Sequence, residues 1–174
     1  MRICAFILTF FCFIFTNAQV NEFTESELRT KADSEMADYI EGMHESDSLK
    51  LRQKTYDSFS LLIKKFPKSE NLSFYLYTKG CLADKIEEAK GCFKEVIQIN
   101  SWSYYVIQSY IKLSWIAVKN KDFELALQYL NNIEKMEQPS FHCGVELETY
   151  QSQLKNIRQE CEKGLKTNTA TNSR

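Results

Sequence analysis

Three times along the chain, one triplet of positions repeats. Thr55, Phe59 and Leu62 form the first, Ala89, Phe93 and Val96 the second, and Ala126, Leu130 and Ile133 the third. The second follows the first by 34 residues, and the third follows the second by 37. Ile63 and Ile97 extend the first agreement to a fourth position. Within each triplet the steps are four and three, which places its members on one face of an α-helix. Recurrence at this interval means stacked helical hairpins. A single hairpin cannot cover its own apolar face, so neighbouring repeats must close the core. The expected fold class is therefore all-α, with about seven helices.

The clearest unit is the stretch 83–100, a turn followed by an amphipathic helix. Its apolar positions are Ile86, Ala89, Phe93, Val96 and Ile97. Before it, Thr24 and Glu27 form the pattern of a capping box and predict a first helix from Glu25 to about His44. Ser46-Asp47-Ser48 breaks that helix and caps a second, about Leu49 to Lys65, which Pro67 stops. A third helix is expected over Leu72 to about Leu82. After the central unit, Asn100-Ser101 caps a fifth helix to Lys119, the most aromatic element, apolar on more than one face. A sixth is expected from about Phe123 to Glu137, ended by Pro139. The seventh runs from about Cys143 to Lys163, and its modest apolar content suits a capping helix. Thr167 to Arg174 reads as a disordered polar tail.

These residues resemble the tetratricopeptide repeat, a 34-residue helix-turn-helix. Ala89, Phe93 and Val96 match the core of its second helix. So do Ala126, Leu130 and Ile133, and the stretch from Tyr56-Asp57-Ser58-Phe59 to Pro67 matches a second helix with its closing proline. Leu76 with Gly80, and Tyr110, Leu113, Ser114 and Ala117, fall at the offsets of first helices. Tyr77 and Met43 depart from the pattern, being bulky where the family has a small residue. The resemblance covers about residues 35–138. It implies hairpins stacked as a short right-handed solenoid, with repeats at about 35–67, 69–101 and 106–139 and a cap at 141–163.

Residues 1–18 read as a secretory signal peptide. Arg2 supplies the basic end, and Ile3 to Phe15 is an apolar run of 13 residues, short for a membrane span. Thr16-Asn17-Ala18 offers a cleavage site, leaving a helical domain at 19–166. The expected location is the periplasm or the exterior. Beyond residue 18 no stretch is apolar enough to cross a membrane. Cleavage would move the net charge from −1 to −2 by removing Arg2. That balance argues against a nucleic-acid binder, which needs a dense basic face.

Cleavage would also leave Cys81, Cys92, Cys143 and Cys161. An even count in an exported protein permits two disulfides, in three connectivities. No C-x-x-C occurs, which argues against zinc and thioredoxin-like sites. Cys143 and Cys161 lie 18 residues apart on one predicted helix, a rise of about 27 Å and far beyond disulfide reach. Cys81 and Cys92, within one hairpin, are the preferred pair, though about a turn out of register.

Catalytic chemistry finds little material. The two histidines, His44 and His142, are 98 residues apart, and five glycines leave no phosphate loop. Glu87 and Glu88 point about 100° apart on a helix and do not converge on one atom. Trp102, Tyr104, Tyr105 and Tyr110 suggest a stacking platform, but aromatics at helical spacing belong more often to a core. No enzyme, cofactor or metal site is expected.

The resemblance implies a groove lined by first helices. Matched position by position, it gives Asn71, Phe74, Thr78 and Cys81 in one repeat and Gln108, Ile111, Trp115 and Val118 in the next. The Lys/Asn/Arg clamp by which some members hold an acidic peptide terminus is missing, since Ile40, His44 and Phe74 stand in its places. The expected function is a non-catalytic exported scaffold binding a protein or peptide. The alternative is a dedicated inhibitor, such as an immunity protein, with one toxin or enzyme as its partner.

Overall fold

The computed structural model describes residues 23–99, 104–136 and 144–172. The signal-peptide expectation at 1–18, the Asn100-Ser101 cap, Pro139, His142 and Cys143 lie outside them. The described residues form seven α-helices and no strand: α1 Glu25–Glu41, α2 Ser48–Lys65, α3 Leu72–Leu82, α4 Ile86–Ile99, α5 Tyr104–Lys119, α6 Phe123–Glu134 and α7 Gly144–Asn172. None of these helices is long and apolar enough to cross a membrane.

Local chemistry explains the boundaries. At the start of α1 the Thr24 hydroxyl accepts from the Glu27 N–H at 3.3 Å, and the Glu27 carboxylate accepts from the Thr24 N–H at 2.8 Å. This reciprocal capping box satisfies two donors that a helix start leaves open. Between α5 and α6 the chain turns within three residues. Lys121 adopts a left-handed φ of 61°. Its N–H donates to the Val118 carbonyl, and the Asp122 N–H to that of Ala117, both at 2.9 Å. That pair of bonds closes a helix in a Schellman motif. Asp122 then caps α6 by accepting from the Leu125 N–H. The expected end of the last helix at Lys163 is corrected: α7 continues to Asn172. Neither proline nor glycine follows Gly164, so nothing in the sequence stops the helix.

The repeated triplets are the core. Thr55, Phe59, Leu62, Ala89, Phe93, Val96, Ala126, Leu130 and Ile133 are all buried, on α2, α4 and α6 in turn. Consecutive helices pack together, and α3 also touches α5, as α5 touches α7. Among the described residues no helix packs against one more than two steps away. The apolar clusters follow the same order. One surrounds Phe59 and Tyr75, two join α3, α4 and α5, and the last gathers Ile107, Ile111, Leu130 and Ile157 under α7. As its composition predicts, α5 is buried on several sides, at Val106, Ile107, Ser109, Leu113 and Ala117. The outer faces of α1 and α7 are polar, with Lys31, Asp33, Asp38, Lys155, Arg158 and Glu162 exposed.

Gly80 provides the closest approach between α3 and α4. A Cβ there would meet the Phe93 ring at 2.8 Å and the Cys92 Cβ at 3.1 Å. This glycine stands where a larger residue would hold the two helices apart. The preferred disulfide is corrected for the same reason. Cys81 is exposed, Cys92 is buried, and both are free thiols, as is Cys161. Residue 80 is the one that faces Cys92, and the next residue along a helix points about 100° away.

Candidate functional site

The site grows from two stripes of side chains on α3 and α5. On α3, Phe74 and Tyr77 are half-buried and Cys81 is exposed, at steps of three and four. On α5, Tyr110, Ile116 and Val118 are half-buried, as are Tyr105, Gln108 and Trp115, which run with the exposed Tyr104, Lys112 and Lys119. Steps of three and four again put most of them along one face. The stripes meet at their rings. Tyr105 lies 5.5 Å from Phe74 and 5.6 Å from Tyr77, centroid to centroid, and Tyr104 stands edge-on to Tyr105 at 5.5 Å. Such separations suit tilted and edge-to-face aromatic pairs. Tyr104 remains 54% exposed.

This aromatic track has two ends. At one, the Arg29 guanidinium of α1 lies 5.6 Å from the centre of the Phe74 ring. At the other, Tyr77 packs on Phe93 at 5.8 Å, and Phe93 forms part of a cleft of about 320 Å³. The remaining walls are Lys112, Trp115, Ile116 and Lys119, on successive turns of α5. Desolvation pushes the Tyr77 hydroxyl well above its ordinary pKa. It also raises the Cys81 thiol, while the nearby Lys112 charge opposes that rise. The Tyr77 hydroxyl and the Cys81 thiol are thus neutral at neutral pH.

Two polar recesses lie elsewhere. The first, about 390 Å³, is bordered by Glu25, Ser26, Arg29, Ser69, Glu70 and Asn71. Its carboxylate is already engaged. Glu25 accepts from the Ser69 hydroxyl at 2.5 Å and the Tyr75 hydroxyl at 2.8 Å. Those bonds, Ser69 first, hold its carboxyl below the ordinary value. Desolvation, followed by the bond to Glu25, pushes Tyr75 up to about 12. The second recess, about 200 Å³, includes Tyr56, Asp84 and Glu88. There Tyr56 donates to Glu88, Lys79 pairs with Glu88, and Arg52 pairs with Asp84. Both recesses are internally satisfied joints between helices. Among the described residues no cluster of His, Cys, Asp or Glu could hold a metal ion.

The residues expected in the groove divide into two groups. Phe74, Gln108 and Trp115 lie on these stripes and are half-buried, with Phe74 and Trp115 also packed against apolar clusters. Asn71, at the start of α3, is half-buried and accepts from Arg29 at 3.2 Å, which makes it part of the α1–α3 joint. Val118 is half-buried against the cluster beneath α7. Thr78, 6% exposed, and Ile111, 2% exposed, are core residues and unavailable to a partner. Tyr77, Tyr104, Tyr105, Lys112 and Lys119 are not among the residues expected in the groove, and Phe93, 2% exposed, belongs to the core beneath the cleft. The signal that could have found the α5 members is the common face of Tyr105, Gln108, Lys112, Trp115 and Lys119. Compared with protein-family models, with curated proteins and with solved structures, the chain matches none.

Proposed function

We propose that the chain is an exported, non-catalytic scaffold of tetratricopeptide-like repeats, stacked as a short right-handed solenoid, which binds a protein or peptide along α3 and α5. The observation that carries this reading is the partly open aromatic track and the cleft into which it leads. Rings held by packing on one side and open on the other supply contact area at little entropic cost, and aromatics are the common anchors of protein interfaces. The solenoid reading draws support from the buried triplets and from the restriction of helix contacts to near neighbours. Export draws support from the apolar run behind Arg2.

Site-specific photo-crosslinking in the producing cells tests the reading. A crosslinker at Tyr104 should capture a polypeptide, and one at Glu148, exposed on α7, should not. Equal capture from both positions would remove the α3–α5 face as the binding surface.

A further inference from the structure

The cleft at the end of the track has an uneven composition. Among the described residues its apolar part comes from Phe93, Trp115 and Ile116, and its charged part from two lysines. Among the described residues no carboxylate lines it. Lys112 and Lys119 are exposed, and neither has an ion-pair partner among the described residues. Other exposed lysines, among them Lys50, Lys64, Lys94 and Lys121, also lack one, so what sets this pair apart is the apolar cleft between them. The chain carries 23 acidic against 22 basic residues, so an unbalanced positive rim here does not follow from a basic composition.

We infer that the cleft receives one apolar side chain of a partner polypeptide whose flanking residues are acidic, with the flanking carboxylates on Lys112 and Lys119. This rests on the scaffold reading above and gives that partner its chemistry. The two lysines stand two helical turns apart, a rise of about 10.5 Å. An extended chain puts every second side chain on one face and spans about 13 Å in four residues, a small excess that long side chains take up. The geometry therefore favours acidic residues four apart with the apolar anchor midway between them, all three side chains on one face. An apolar anchor alone would leave both ammonium groups unpaired at the rim. An acidic segment adds charge complementarity, which acts on encounter rate and specificity. The track toward Tyr105 and Phe74 continues beyond the cleft, so the ligand is a chain rather than a single small anion.

The test uses the full chain and three synthetic peptides: a leucine midway between two glutamates four residues apart, the same peptide with glutamines, and the same with lysines. Affinities are measured by calorimetry at low and high salt. The glutamate peptide should bind tightest and weaken with added salt. The K112E/K119E double variant should weaken it by about tenfold or more and shift preference to the lysine peptide. Both positions are exposed, so the variant's melting curve should match that of the unaltered chain. If the glutamine or lysine peptide binds the unaltered chain as well as the glutamate peptide, the acidic assignment is overturned while the groove stands. If none of the three binds, the inference falls, and crosslinking at Tyr104 decides the scaffold reading separately.

Discussion

Lys121 holds a left-handed backbone conformation at the α5–α6 turn, a region that costs an L-residue about 1–2 kcal/mol and glycine almost nothing. Its side chain is exposed, so nothing is lost by removing it. Lys121→Gly should stabilise the protein by about 0.5–1 kcal/mol after the added freedom of the unfolded chain is subtracted; urea denaturation reads the shift in midpoint. Gly80 gives the opposite sign. In Gly80→Ala the new methyl would press on the buried Phe93 ring and on Cys92. Overpacking of this kind costs about 1–3 kcal/mol. Thermal unfolding should show the loss, and an unchanged melting temperature would mean that α3 and α4 are free to separate there.

At the scale of elements, α1 is fastened to its neighbours by polar groups as well as by apolar ones. The Glu35 carboxylate, 4% exposed, accepts from the Ser58 hydroxyl at 2.5 Å, with Lys54 at 3.5 Å. The Thr55 hydroxyl donates to the Glu35 carbonyl at 2.9 Å. At the other end, Glu25 ties α1 to α3 through Ser69 and Tyr75. Its folded pKa is lowered from an ordinary 4.5. The stabilisation is therefore present above about 4.5 and fades as pH falls through the lower folded value. Glu25→Gln should cost about 0.5–1 kcal/mol at neutral pH, kept small by solvent. The two proteins should converge in stability under acid, which denaturant titrations between pH 7 and pH 3 would measure. Much of this layer was legible in the sequence. The spacing of Thr55, Ala89 and Ala126 with their large partners states a burial requirement, and the capping box at Thr24 states a start. Rotational phase was not legible. Gly80 and Cys81 are adjacent, and only packing decides which faces α4. Tyr104 and Tyr105 likewise have the spacing of core residues, yet one is exposed and the other half-buried.

For the whole molecule, the order of contacts along the chain sets how damage spreads. Tyr150, Ile157 and Cys161 of α7 close the cluster that contains Ile107, Ile111 and Leu130. A chain ending before Gly144 would uncover that cluster while leaving Phe59, Tyr75 and their neighbours in place. Hydrogen exchange on such a truncation should show lost protection in α5 and α6 and retained protection in α1 to α3. Uniform loss throughout would mean that the stack behaves as one cooperative unit. The same neighbour-only packing has a mechanical side. No strand or helix bridges one end of the stack to the other among the described residues. A pull applied to the two termini therefore loads one interface after another, with no single clamp to resist it. Such a chain should lengthen by peeling from an end in small force steps and should re-form by the same route when the tension is released.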